Sequence, residues 1–196
     1  MNAILMSIQP KWIEKIISGE KIIEVRKTAP KETPFKVYVY CTKSGKQLNM
    51  PVDLQKDLDE TGSWDCINSP IGNGKIVAEF VCEKAEMVDL EFVDNKLLEL
   101  SGLSKKELSD YVTNNSKKDF FSAPFALHLS ALKVYDKPKE LGEFKHLPCS
   151  KPEKACDNCK HKHNVGSYEY PEHECGRDEP YAVTHAPQNF IYVEEL

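Results

Sequence analysis

The apolar positions of the first 30 residues change period twice. Ala3–Ile8 is an apolar run of strand length. Pro10 suits the first turn of a helix, and Trp12, Ile13, Ile16 and Ile17 recur at the spacing that lays one apolar stripe along a helix. Gly19 follows that stripe directly, where a helix takes a left-handed C′ residue. Beyond it the period becomes two. Ile23 and Val25 take one face of a strand, Ile22, Glu24 and Arg26 take the other, and Lys21 sits at the turn before it. The predicted order is strand, short helix, glycine stop, strand, with three charges of both signs gathered at the last junction.

The same reading extends along the chain. Lys36–Thr42 alternates Val37, Val39 and Cys41 with Tyr38, Tyr40 and Thr42, which predicts a central strand. Ser44–Gly74 is polar and broken by proline and glycine, and is read as an insertion with one short helix near Val52–Leu58. Strands are predicted at Lys75–Cys82 and Ala85–Leu90, then helices at Asp94–Leu100 and Ser104–Val112. The second helix opens on a Ser104/Glu107 capping box. A strand at Ala126–Val134 is predicted to stop before Pro138, and a last strand covers Asn189–Glu194. No internal repeat is present.

Gly19, Lys21, Glu24 and Arg26 fill the pattern G-x-K-x-x-E-x-R, which resembles the motif of ASCH domains (ASC-1 homology) in the PUA-like superfamily. Leu5–Trp12, Gly74–Phe80, Ala126–Leu129 with Pro138–Leu141, and Ala186–Phe190 resemble further family elements in order, as in phage and bacterial members. The resemblance implies a mixed α/β (α+β) fold, a PUA-like partly open β-barrel with flanking helices and a cleft lined by the motif. It also implies RNA or a modified base as ligand. Some members resemble amidohydrolases of acetylated cytidine that use a lysine, a threonine and a glutamate. Here Lys21 stands at the lysine, but Glu24 replaces the threonine, and a carboxylate cannot serve as that hydroxyl nucleophile. Others resemble metal-dependent ribonucleases.

Composition narrows the class. A chain of 196 residues fits one domain with an insertion or a small satellite. The expected division is a barrel over 1–147 with an insertion at about 44–74, a Cys/His-rich excursion over 148–187, and a closing strand over 188–196. No apolar run is long enough to span a bilayer, and no secretory pattern opens the chain; membrane partners are not expected, and a cytoplasmic location is. The net charge of −5 argues against nucleic acid, yet residues 1–50 hold nine Lys/Arg against four Asp/Glu. The segment carrying the motif is therefore the basic one.

Between Pro148 and Pro187 aliphatic residues nearly vanish while cysteine, histidine and proline accumulate. Cys156 and Cys159 have the C-x-x-C spacing by which one turn offers two thiolates to a tetrahedral ion. With Cys149 and Cys175 they make a four-thiolate structural Zn²⁺ site, with His161, His163 or His173 as alternates for the outer pair. A segment with so few core residues gains its order from the metal. Free thiols and a redox pair are the alternatives. Cys41 and Cys82 lie in strand patterns and are expected to pack as small apolar residues.

The candidate ligand residues are Ser7, Gln9, Lys11, Gly19, Lys21, Glu24 and Arg26. Lys21 and Arg26 suit phosphate or base oxygens, and Glu24 an exocyclic amine. A structural ion-pair network is the competing account of the same three charges. Gln9 alternatively caps the helix; for Trp12, Tyr38 and Tyr40, stacking on a base competes with packing in the core; and His128 is expected as a satisfied buried histidine. The first functional expectation is a binding module for RNA, a nucleotide or a modified nucleoside. The second is a hydrolase with Lys21 and Glu24 as catalytic acid–base pair. The third is a protein-interaction adaptor working through the zinc excursion. The oligomeric state is left open.

Overall fold

The computed structural model describes residues 1–51, 71–113, 123–147 and 182–196. The strands are β1 (Asn2–Ile8), β2 (Ile23–Arg26), β3 (Phe35–Cys41), β4 (Ile76–Met87), β5 (Phe125–Lys139) and β6 (Phe190–Val193). The helices are α1 (Pro10–Ile17), α2 (Asn95–Ser101) and α3 (Lys105–Thr113). The fold is mixed α+β, and the six strands form one sheet in the order β2-β5-β4-β3-β1-β6. Only β1 and β3 pair in parallel; the other pairs are antiparallel. Among the described residues no helix is long and apolar enough to cross a membrane.

β4 is one strand where two were expected. Cys82 pairs with Leu129 and Lys84 with His128, which leaves Glu83 as an extra residue. Such a bulge breaks the alternation that a sequence reading follows. β5 likewise runs past the expected stop. Its register shifts where Glu79 pairs with Lys133 and Val81 with Ser130, and Ala131 there takes a left-handed φ of 47°. A second irregularity lies between the Ala78–Val134 and Ile76–Lys139 pairs, and Pro138 falls in that unpaired stretch. Proline is tolerated where no ladder hydrogen bond is asked of it.

These bulges bend the sheet, and its edges are β2 and β6, which do not pair with each other. The expected barrel is therefore an open sheet. Its seam is crossed instead by a side chain: Arg26 on β2 donates from Nη2 to the Ser7 carbonyl of β1 at 2.6 Å.

The sheet is buried on both faces around β1 and β3. Ile4, Met6, Ile8, Val37, Val39 and Cys41 pack under Ile13 and Ile16 of α1 on one side. Ala3, Leu5, Tyr38 and Tyr40 pack with Phe144, Val183 and Val193 on the other. Leu48 and Met50 belong to the first of these cores, so the start of the expected polar insertion contributes core residues. A smaller core seats α2 and α3 on Ile23, Val25 and Ala126. Ala182, within the expected Cys/His-rich excursion, forms a bridge with Lys145.

The helix ends follow the sequence. Gly19 leaves α1 at a φ of +80°, and Gly102 leaves α2 in the left-handed region after an Asp94 N-cap that accepts from Lys96 N–H. Ser104 and Glu107 make the reciprocal capping box of α3.

Candidate ligand cleft

A cleft of about 860 Å³ opens at the C-terminal end of β1, between α1, β2, α3 and the 186–188 segment. Of the sequence-predicted residues, Ser7, Gln9, Lys11, Lys21, Glu24 and Arg26 line it. Gly19 does not. It sets the turn after α1, and a Cβ there would meet nothing within 4 Å, so its part is conformational.

Lys21 is only 2% exposed. Its Nζ donates to the Ile23 carbonyl at 2.8 Å and to the Ser101 carbonyl at 2.7 Å, and lies 3.1 Å from Glu24 Oε2. Ser101 ends α2, so the ammonium meets an orphan carbonyl at the negative end of a helix. Burial holds the Lys21 pKa below its ordinary value; Glu24 opposes that shift, and the like charges of Arg26 and Lys15 add to it. An ammonium has three protons, and two are committed to main-chain carbonyls. Lys21 thus lines the cleft with its ammonium held by main-chain carbonyls, as an internal anchor.

Glu24 joins the two cations. Its Oε1 lies 3.0 Å from Arg26 Nη2. Its Oε2 is paired with the Lys21 ammonium at 3.1 Å, and Arg26 Nε is buried without a hydrogen-bond partner. An unpaired buried donor of this kind is costly in a native fold. The three charges tie α2, β2 and the end of β1 together. The structural network considered for them is present, and it forms one wall of the cleft.

Ser7 is similarly engaged. Its hydroxyl donates to the Pro187 carbonyl at 2.6 Å, and its N–H to the Asn189 carbonyl at 3.2 Å. Gln9 makes no side-chain cap; its carbonyl accepts from Trp12 and Ile13 N–H instead, leaving the amide at the cleft. Trp12 divides between both expectations. One side packs on the main core, while the ring lines the cleft with the ammonium groups of Lys11 at 4.3 Å, Lys21 at 5.3 Å and Lys15 at 5.6 Å. Of the two tyrosines, Tyr38 is wholly buried edge-on to Phe144 and Tyr40 lines the cleft.

Sequence reasoning missed the wall made by α3 and the rim after β3. Leu103, Glu107, Asp110 and Tyr111 supply the first, and Thr42, Lys43 and Ser44 the second. Nothing in the local pattern marks α3 as a cleft wall; its placement comes from the small core under β2. Tyr111 is 37% exposed, and partial burial raises its phenol pKa. Lys27 secures its end of the helix, donating to the Val112 carbonyl at 3.0 Å and lying 5.4 Å from the Tyr111 ring.

His128 is away from the cleft and is not buried. Its Nε2 lies 2.6 Å from Glu86 Oε1 with both side chains more than a third exposed, so it is a hydrogen-bonded, partly exposed group on the sheet. Cys41 and Cys82 are buried free thiols, each pushed up to about 11 by burial, as small apolar residues would be. The zinc candidates Cys149, Cys156, Cys159 and Cys175, with His161, His163 and His173, lie outside the described residues. Among the described residues no group of three or more His, Cys, Asp or Glu is placed to hold a metal.

No protein-family model and no curated protein matches the sequence. Solved structures do match. The crystal structure of ASCH from Zymomonas mobilis superposes with a TM-score of 0.52 at 12% identity, over 98% of this chain and 88% of that one. Two substituted forms of the same Zymomonas mobilis protein give a TM-score of 0.48 at 13% identity, over 98% and 89% of the two chains, and 0.44 at 16%, over 72% and 77%. Identity this low speaks to the fold alone, and the first superposition carries it: the chain shares the fold of that ASCH structure.

Proposed function

We propose that this chain is a binding module for RNA or a modified nucleotide, with the base held in the cleft. The observation that supports this reading most is the composition of one concave site. Trp12 and Tyr111 offer aromatic surface, Lys11 and Lys43 stand at the mouth, and a buried Glu24–Arg26 pair forms the wall. Aromatic faces accept any base by stacking, at about 1–3 kcal/mol per base. Cations at the mouth suit the phosphates that follow it. A hydrolase reading would need Lys21 to exchange protons with substrate, and its ammonium is already held by two carbonyls. Binding is therefore favoured over turnover.

Single-stranded RNA and nucleoside monophosphates titrated against the protein, with Trp12 fluorescence and gel mobility as readouts, test the reading. Binding that falls steeply with salt is expected for RNA. Tyr111→Ala, at a partly exposed position, should weaken it about 5- to 150-fold, the equivalent of one lost stacking contact. The reading is wrong if neither ligand binds at low salt, or if Tyr111→Ala binds as the parent does.

A further inference from the structure

Beyond the paired Lys21, Glu24 and Arg26, the charged residues that line the cleft differ in sign between elements. On the α1 and β3 side stand Lys11, exposed and stacked on Trp12, and Lys43, exposed beside Thr42 and Ser44. Lys15, farther along α1, adds a third cation near the same indole. The charged residues of α3 that line the cleft are Glu107 and Asp110, both exposed. Glu107 is held below the usual carboxylate range first by the Ser104 N–H and hydroxyl, with Lys11 and Lys15 adding smaller electrostatic contributions. The cations lie on α1 and after β3 and the carboxylates on α3, with Lys11 and Lys15 within electrostatic reach of Glu107.

We propose that a single-stranded RNA enters and leaves the cleft over one wall only: its phosphates track along Lys11, Lys43 and the Thr42 and Ser44 hydroxyls, and stay off α3. This rests on the nucleic-acid reading above and sharpens it, because a polynucleotide rather than a free nucleoside is then the ligand that uses the whole site. A strand laid along the cleft-lining face of α3 would bring its phosphates against Glu107 and Asp110, where like charges repel; the exposed Lys105 and Lys106 of the same helix do not line the cleft. A strand on the other wall meets two cations and two hydroxyls within a few residues of chain. The carboxylates then act as a fence that sets the direction in which the backbone leaves the pocket.

Salt dependence separates the two walls. For single strands the slope of log affinity against log salt is about −0.7 per phosphate neutralised. A Lys11→Gln/Lys43→Gln double variant should therefore lose about 1.4 of the parental slope. A Glu107→Gln/Asp110→Asn double variant should keep the parental slope, since no phosphate is paired there; glutamine also preserves the α3 capping box. Equal slopes for parent and lysine variant would overturn the one-wall path. So would a slope change in the α3 variant as large as in the lysine variant. If the parent protein binds no RNA at all, the underlying nucleic-acid reading fails with it, and the two failures are told apart by that first titration. All four positions are exposed, and an unchanged melting curve for each variant secures the comparison.

Discussion

Replacing Lys21 with methionine separates an anchor from a ligand contact. The substitution keeps most of the aliphatic stem and removes the ammonium. Two carbonyls then lose a donor, those of Ile23 and Ser101, and an unpaired buried acceptor costs about 1–3 kcal/mol. Glu24 loses one of its two cations; breaking a buried pair outright costs about 3–5 kcal/mol, but Arg26 remains to hold the carboxylate. The combined loss should be about 3–5 kcal/mol, a large part of the stability of an ordinary domain. At about 2–4 °C per kcal/mol for a chain of this size the melting temperature should fall by about 10 °C. The effect also has a pH signature. Burial lowers the Lys21 pKa in the folded state, so just below its ordinary value of 10.5 the unfolded chain holds a proton that the folded chain has lost. Wild-type stability then gains from rising pH in that window, the variant lacks that gain, and the gap between them widens toward pH 10.5. Thermal melts of both proteins from neutral pH to about 10.5 make the measurement. A change of under about 0.5 kcal/mol, the usual result at an exposed position, would refute the anchor and return Lys21 to the ligand.

Three further outcomes are expected. Arg26→Ala removes a side chain that crosses the seam from β2 to β1. A hydrogen bond from a charged donor contributes about 1.5–3 kcal/mol, so the β2 amides should exchange at least about tenfold faster while those of β3 keep their protection; uniform exchange across both strands would contradict the seam. Cys41 and Cys82 should resist alkylation at neutral pH and react once denaturant is added, because both are buried with pKa values pushed up to about 11. Their folded pKa lies above the unfolded value of 9.0, so their contribution to stability is complete below pH 9 and is lost as pH rises through about 11. For the Cys/His-rich stretch we propose one equivalent of Zn²⁺ held by Cys149, Cys156, Cys159 and Cys175; elemental analysis finding none, with those thiols freely alkylated in the native protein, would remove the site.

Much of the local structure was legible in the residues. The α1 stripe, its glycine exit, the two faces of β2 and the capping box of α3 all stand where short-range patterns place them. These features depend on helix and strand periods and on end groups, which neighbours in sequence decide. The misses have a different cause. Glu83 reads as a break because it is polar, yet a bulge lets β4 continue through it. Leu48 and Met50 read as part of a polar insertion, yet both are buried in the main core. In each case a partner far along the chain sets the outcome.

The cleft divides in the same way. The sequence by itself determined that Lys21, Glu24 and Arg26 share one junction and that Ser7, Gln9 and Lys11 lie at the end of the first strand. Only the tertiary structure decided that Lys21 turns inward to the end of α2, that Arg26 bridges to β1, and that α3 lines the cleft with Glu107 and Asp110. The physical reason is reach. Periodicity fixes which face a side chain takes, but a carbonyl 80 residues away at Ser101 is brought within hydrogen-bond distance only by the packing of α2 and α3 against β2.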